Sequence, residues 1–251
     1  MKNLLPVLGL VLVISLQSCA QTKSDSKSLP VSHTIWNELL IAHVDSLGHV
    51  NYAGLVNDSL KLNTYLDVLK SAHPNEVNWS KEERLAYWIN AYNAFTVQLI
   101  VRHYPCKSIK DLGGKIYKVN TPWDIRFIVI EGKDYDLNNI EHDILRKEFD
   151  EPRIHFALNC ASVSCPVLRN EAFVADRLEQ QLTDQAKRFI NDPSRNKVGE
   201  KSAQLSKLFT WFSGDFTKKM KLTAFINQYS KVQMSANAKL EYLDYDWNLN
   251  E

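Results

Sequence analysis

The chain has 251 residues, 45% of them hydrophobic, with 30 lysines and arginines set against 29 aspartates and glutamates. A formal net charge of +1 gives no electrostatic footprint for nucleic acid or an anionic surface, and basic residues cluster nowhere outside the N-terminal tether. No internal repeat, low-complexity block or second linker divides the sequence, so one domain is expected after the leader.

The chain opens on MKNLLPVLGLVLVISLQS, where Lys2 is the one charge and the apolar run Leu4 to Leu16 is shorter than the ~20 residues a bilayer needs. Residues 1–18 therefore read as a signal peptide. The tetrad Leu16-Gln17-Ser18-Cys19 resembles the lipobox of bacterial lipoproteins, in which the cysteine becomes the lipidated N-terminus. On that reading residues 19–32 are a polar tether and residues 33–251 a single domain. The expected partner is the membrane, through the lipid on Cys19. The expected location is the bacterial cell envelope, facing the periplasm or the exterior.

The spacing predicts a first helix over HTIWNELLIAHVDSLGHV and a short extended or turn segment over NYAGLVND. A second helix over SLKLNTYLDVLKSA stops near Pro74. Ser80 and Glu83 form a capping box, and the helix they open runs to Pro105. Leu85, Trp88, Ile89, Tyr92, Thr96, Leu99 and Ile100 share one face, and Ala86, Phe95, Val97 and Val101 widen it. Such a helix is enclosed on most sides and central to the fold.

DIRFIVIEGKDYDL predicts a hairpin turning at Gly132-Lys133, NNIEHDILRKEF a helix, and RIHFALNC a strand with His155 and Cys160 on opposite faces. A long helix over VADRLEQQLTDQAKRFIND follows, then a strand pair around Gly199. Helices over SKLFTWFSGDF and LTAFINQYS and an aromatic strand over LEYLDYDWNL complete the chain. Without regular βαβ spacing the class is α+β, with a central buried helix and surrounding helices against a small, mainly antiparallel sheet.

Three places depart from a generic fold. Asn90 and Asn93 sit inside the apolar stretch of the central helix, where an unsatisfied amide costs about 1–3 kcal/mol. They serve either the fold, by fixing a neighbouring backbone, or a site, by orienting a histidine or polarising a carbonyl. Glu141 falls within the apolar arc of its helix, either as a capping-box partner of Asn138 or as an acid, base or histidine-orienting group. His142 lies at the edge of that arc. In ASVSCP, Cys165 is the favoured reactive thiol, because Pro166 is suited to open a helical turn whose N–H groups would stabilise a thiolate. His155 is the nearest candidate base and Cys160 the second candidate nucleophile. A Cys160–Cys165 disulfide, a zinc site through His155, Cys160 and Cys165, and simple burial compete for the same residues.

AYWINAYNAFTVQLIVRHYPCKSIKDLG, NNIEHDILR, DEPRIHFALNCASVSCPVLRNEAFVADRLEQQL, DPSR and YLDYDWNLN together resemble the family catalogued as domain of unknown function 547, from about Val50 to the C-terminus. The family's motifs fall here on Asn90, Tyr92, Asn93, Glu141, His155, Cys160, Ser164, Cys165 and Pro166. The order of a buried helix before a histidine strand is also similar to papain-like and transglutaminase-like hydrolases, although those place the nucleophile on the helix. The expected function is a lipid-anchored, thiol-dependent hydrolase or acyltransferase acting on a peptide-like or thiol-containing substrate. Its alternative is a binding or structural lipoprotein with a Cys160–Cys165 disulfide. No cofactor and no metal is expected.

Overall fold

A computed structural model describes residues 26–113 and 121–251. Residues 1–18, Cys19 and the start of the tether lie outside the described residues. Residues 26–32 lie against the domain: the Ser28 carbonyl accepts the Trp79 indole N–H at 2.9 Å and the Asn75 amide at 3.0 Å. Among the described residues no helix is long and apolar enough to cross a membrane.

The fold is α+β. Helix α1 (Thr34–His43) packs on α2 (Tyr52–Asn57) and α3 (Ser59–Lys70), and these two pack on α4 (Lys81–His103). NYAGLVND is thus helical rather than extended, because the Asn51 side chain accepts the Gly54 N–H and caps a first turn. The Ser80–Glu83 capping box opens α4 as its sequence demands, and every residue from Leu85 to Ile100 is buried. Its enclosure follows from the breadth of its apolar surface, which the neighbouring helices and the 128–173 segment cover.

Strands β1 (Ile128–Ile130) and β2 (Lys133–Tyr135) pair antiparallel, with Ile130 opposite Lys133. The turn is Glu131-Gly132, one residue earlier than the composition suggests, and both residues have positive φ, as a tight two-residue turn requires. A π-helix, Asn139–Leu145, runs into α5 (Arg146–Glu148), and a 3-10 helix spans Pro152–Phe156. RIHFALNC is therefore not a strand: Pro152 opens the tight helix, and Asn93 holds the chain beyond it in place of a strand partner.

After α6 (Leu178–Ile190), β3 (Lys197–Val198) and β4 (Ser202–Leu205) pair antiparallel, and β5 (Lys239–Tyr242) joins β4 in parallel. Helices α7 (Leu208–Trp211), α8 (Ser213–Thr217) and α9 (Leu222–Asn227) lie between β4 and β5. The last strand ends at Tyr242, so LDYDWNL is free to follow the 163–164 segment instead: Val163 and Ser164 donate their N–H groups to the carbonyls of Asn248 and Asp246. A cluster around α4 and a second one around Phe156, Phe189, Phe209 and Phe216 form the core.

Candidate functional site

A cavity of about 190 Å³ opens where the π-helix, the 155–165 segment, α7 and the C-terminal tail meet. Glu141, His155, Cys160 and Cys165 all line it. Trp123, Trp211, Tyr245 and Trp247 form an aromatic wall, with successive ring centroids 4.6 to 5.8 Å apart.

His155 is 2% exposed. Its ring stacks on Phe212 at 3.8 Å, and its Nε2 lies 2.7 Å from Asp215 Oδ2. Asp215 in turn takes two bonds from the Arg146 guanidinium, at 2.6 and 3.1 Å. The His155 N–H and this fork hold the Asp215 carboxyl well below the usual carboxylate range. Burial pushes the imidazole pKa down and keeps the ring neutral, so its single proton belongs on Nε2, facing the carboxylate. Nδ1 is left as a bare acceptor with no hydrogen-bond partner, 3.7 Å from Glu141 Oε1.

Glu141 owes its aim to the π-helix, whose wide turn is closed by the Arg146 N–H donating to the Glu141 carbonyl. It is not a cap. Asp136 accepts the Asn139 N–H at 2.7 Å, and the Asn138 amide donates to Asp124. Burial raises the Glu141 pKa to about 7, against the lowering pull of Arg146 and a hydrogen bond from the Tyr92 hydroxyl. The cavity thus holds a neutral base and a carboxyl that exchanges its proton near neutrality. His142 also lines it, with Nδ1 3.1 Å from Arg146 Nη1.

Cys160 and Cys165 are joined in a disulfide, with Cα atoms 6.1 Å apart. Joined sulfurs offer neither a free thiolate nor thiolate ligands for zinc, and among the described residues no cluster of His, Cys, Asp and Glu is arranged to hold a metal. No helix begins at Pro166, so Cys165 has no helix N-terminus. The Cys165 sulfur accepts the Cys160 N–H at 2.8 Å instead. Among the described residues Cys106 is the free thiol, and it does not line this cavity.

Asn90 and Asn93 do not reach the cavity. Asn90 bonds the carbonyl and N–H of Phe173, and Asn93 the Ala157 carbonyl and Asn159 N–H, all at 2.8 to 3.0 Å. Both amides are consumed in pinning backbone to α4. Sequence reasoning missed Asp215 and Arg146, the pair that fixes the histidine. It also missed Arg195 of DPSR, whose guanidinium donates to the carbonyls of Cys165 and Val163 at 2.7 Å. The separate sequence blocks turn out to be neighbours around one loop.

Residues 77–190 match the family model described as "Protein of unknown function, DUF547". The matched segment holds α4, the π-helix, His155 and both bridged cysteines, whereas Tyr245 and Trp247 of the same cavity, and Asp215, the hydrogen-bond partner of His155, lie beyond it. No curated protein and no solved structure matches the chain. The likeness to papain-like and transglutaminase-like hydrolases has no histidine strand to rest on, since His155 sits in the 3-10 helix.

Proposed function

We propose that the protein is a lipid-anchored cell-envelope enzyme that performs acyl transfer or hydrolysis on a small peptide-like or thiol-containing substrate in this cavity. The observation that carries the reading is convergence: a bare buried Nδ1, a carboxyl poised near neutrality and two sulfurs from separate segments line one space. Once an external thiol has reduced the bridge and left as its own disulfide, Cys160 is the nucleophile. Its proton passes to His155 Nδ1, its sulfur bonds the substrate carbonyl carbon, and the leaving group departs with a proton from the imidazolium or Glu141. Water then cleaves the thioester and returns the proton to the thiol.

A second reading, a binding protein whose disulfide is purely structural, is favoured by the joined sulfurs themselves. Alkylation of the native protein after mild reduction separates the two. The enzyme reading expects one thiol to react quickly near neutral pH and His155→Ala to slow it. Two slow thiols indifferent to His155 favour the binding protein. Fractionation of cells carrying Cys19→Ser tests the anchor, and an unchanged membrane fraction removes it.

A further inference from the structure

A structural disulfide is usually sealed in the core and holds together chain that would otherwise drift apart. The Cys160–Cys165 bridge is only partly sealed, since Cys165 is buried and Cys160 half-buried. It forms part of the cavity wall, and the loop it spans is already clamped at four points. Val163 and Ser164 bond to the C-terminal tail, and Arg195 bonds the carbonyls of Val163 and Cys165. The Asn159 side chain accepts the Ala161 N–H at 2.9 Å, holding Ala161 at φ 57°, an unfavourable conformation for a residue with a Cβ.

The two sulfurs are also unequal. Cys165 is 3% exposed, whereas Cys160 is half-buried. Around Cys160 Sγ stand the Ser162 hydroxyl at 3.3 Å and the Tyr245 hydroxyl at 3.4 Å, two donors for a thiolate. Cys165 Sγ already receives the Cys160 N–H. Each sulfur therefore has a donor in place for the charge it would carry after the bond breaks.

We infer that Cys160–Cys165 is a thiol–disulfide exchange centre whose substrate is a small thiol entering the cavity. The substrate thiolate attacks Cys160 Sγ, a new S–S bond forms, and the electron pair of the old one leaves on Cys165 Sγ, where the Cys160 N–H stabilises it until it takes a proton from solvent. A second substrate thiolate attacks the substrate sulfur of the mixed disulfide, and Cys160 leaves as a thiolate facing Ser162 and Tyr245. Two thiols become one disulfide and the protein gains a dithiol. A small disulfide runs the same steps in reverse. The inference rests on this cavity being the reaction site, not on acyl transfer.

The test uses the purified full-length protein, oxidised, with 2-mercaptoethanol and its disulfide as probes. The native bridge should open in 2-mercaptoethanol with the near-UV circular dichroism retained, and Cys160 and Cys165 should then alkylate in addition to Cys106. Cys165→Ser treated with the probe disulfide should form a mixed disulfide at Cys160 about tenfold faster than Cys160→Ser forms one at Cys165. A bridge that opens only as the near-UV signal collapses overturns the inference, as does equal capture at the two positions. Hydrolysis lost while exchange persists sinks the acyl-transfer reading alone, and exchange lost while the reduced protein hydrolyses sinks this one alone.

Discussion

The Nε2 of His155 and the Oδ2 of Asp215 lie 2.7 Å apart, across 60 residues of sequence, and this contact decides which ring nitrogen faces Glu141. A neutral imidazole has one proton, and a carboxylate anchored by Arg146 claims it. Asp215 is thus a positioning residue: it leaves Nδ1 bare without itself entering the reaction.

Asp215→Asn tests that relationship directly. The amide can present its own N–H to Nε2, so the preference for the Nε2–H tautomer is lost and Arg146 loses a bidentate partner. We expect the wild-type nitrogen NMR spectrum to show His155 protonated at Nε2 only, and the variant to shift toward Nδ1–H. The half-buried guanidinium makes a cost of about 2 kcal/mol reasonable in urea unfolding. A wild-type ring protonated at Nδ1 contradicts the assignment.

Glu141 gives a pH signature of known sign. Its ordinary value is 4.5 and burial lifts it to about 7, so the folded state keeps a proton that the unfolded chain releases between those values. Its contribution is full below pH 4.5 and falls by about 3 kcal/mol as pH rises to 7. His155, with a depressed pKa, runs oppositely and gains stability as pH rises toward 6.5. Asp215 matters only below its ordinary 3.8. Comparing wild type with Glu141→Gln cancels the latter two. The variant's advantage should grow by about 3 kcal/mol between pH 4.5 and about pH 8 in denaturant melts, and a flat difference contradicts the burial argument.

Asn93→Ala should be costly without altering the cavity's acid–base groups. It strands the Ala157 carbonyl and the Asn159 N–H in the core, at about 1–3 kcal/mol each, for a loss of about 2–6 kcal/mol. Chemical denaturation measures it, and a loss under about 1 kcal/mol means that water or another group has replaced the amide.

The two asparagines show what the sequence could and could not reveal. An amide in an apolar helix stretch is conspicuous, but which backbone it serves depends on chain about 64 to 83 residues away. The Ser80–Glu83 box and the breadth of α4 are local, and their reading survives. His155 is the opposite case. Its alternating neighbours suggest a strand, yet Pro152 opens a tight helix and, among the described residues, no strand pairs with it. That helix is what lets His155 and Cys160 line one cavity. The π-helix under Glu141 has no sequence period to announce it, although the carboxylate's place in the apolar arc was visible. Asp215 gave no signal at all, since SGDF reads as an ordinary polar turn among aromatics.

Phe212 provides the test of what keeps His155 neutral. Its ring stacks on the imidazole at 3.8 Å, and the Arg146 guanidinium lies 5.2 Å from its centroid, so one side chain shields two members of the array. Burial is the main cause of the depressed imidazole pKa, with Arg146 and His142 adding smaller downward pulls and Asp215 an upward one. Phe212→Ala admits water to the ring while leaving Asp215, Arg146, His142 and Glu141 in place. The His155 pKa should therefore rise toward 6.5, read from the imidazole proton shifts in an NMR titration. Phe212 is only half-buried, so the stability loss should fall below the about 3–5 kcal/mol of a core phenylalanine. If the titration stays depressed after the ring is gone, desolvation by Phe212 is not the cause, and the neighbouring cations must hold the imidazole neutral instead.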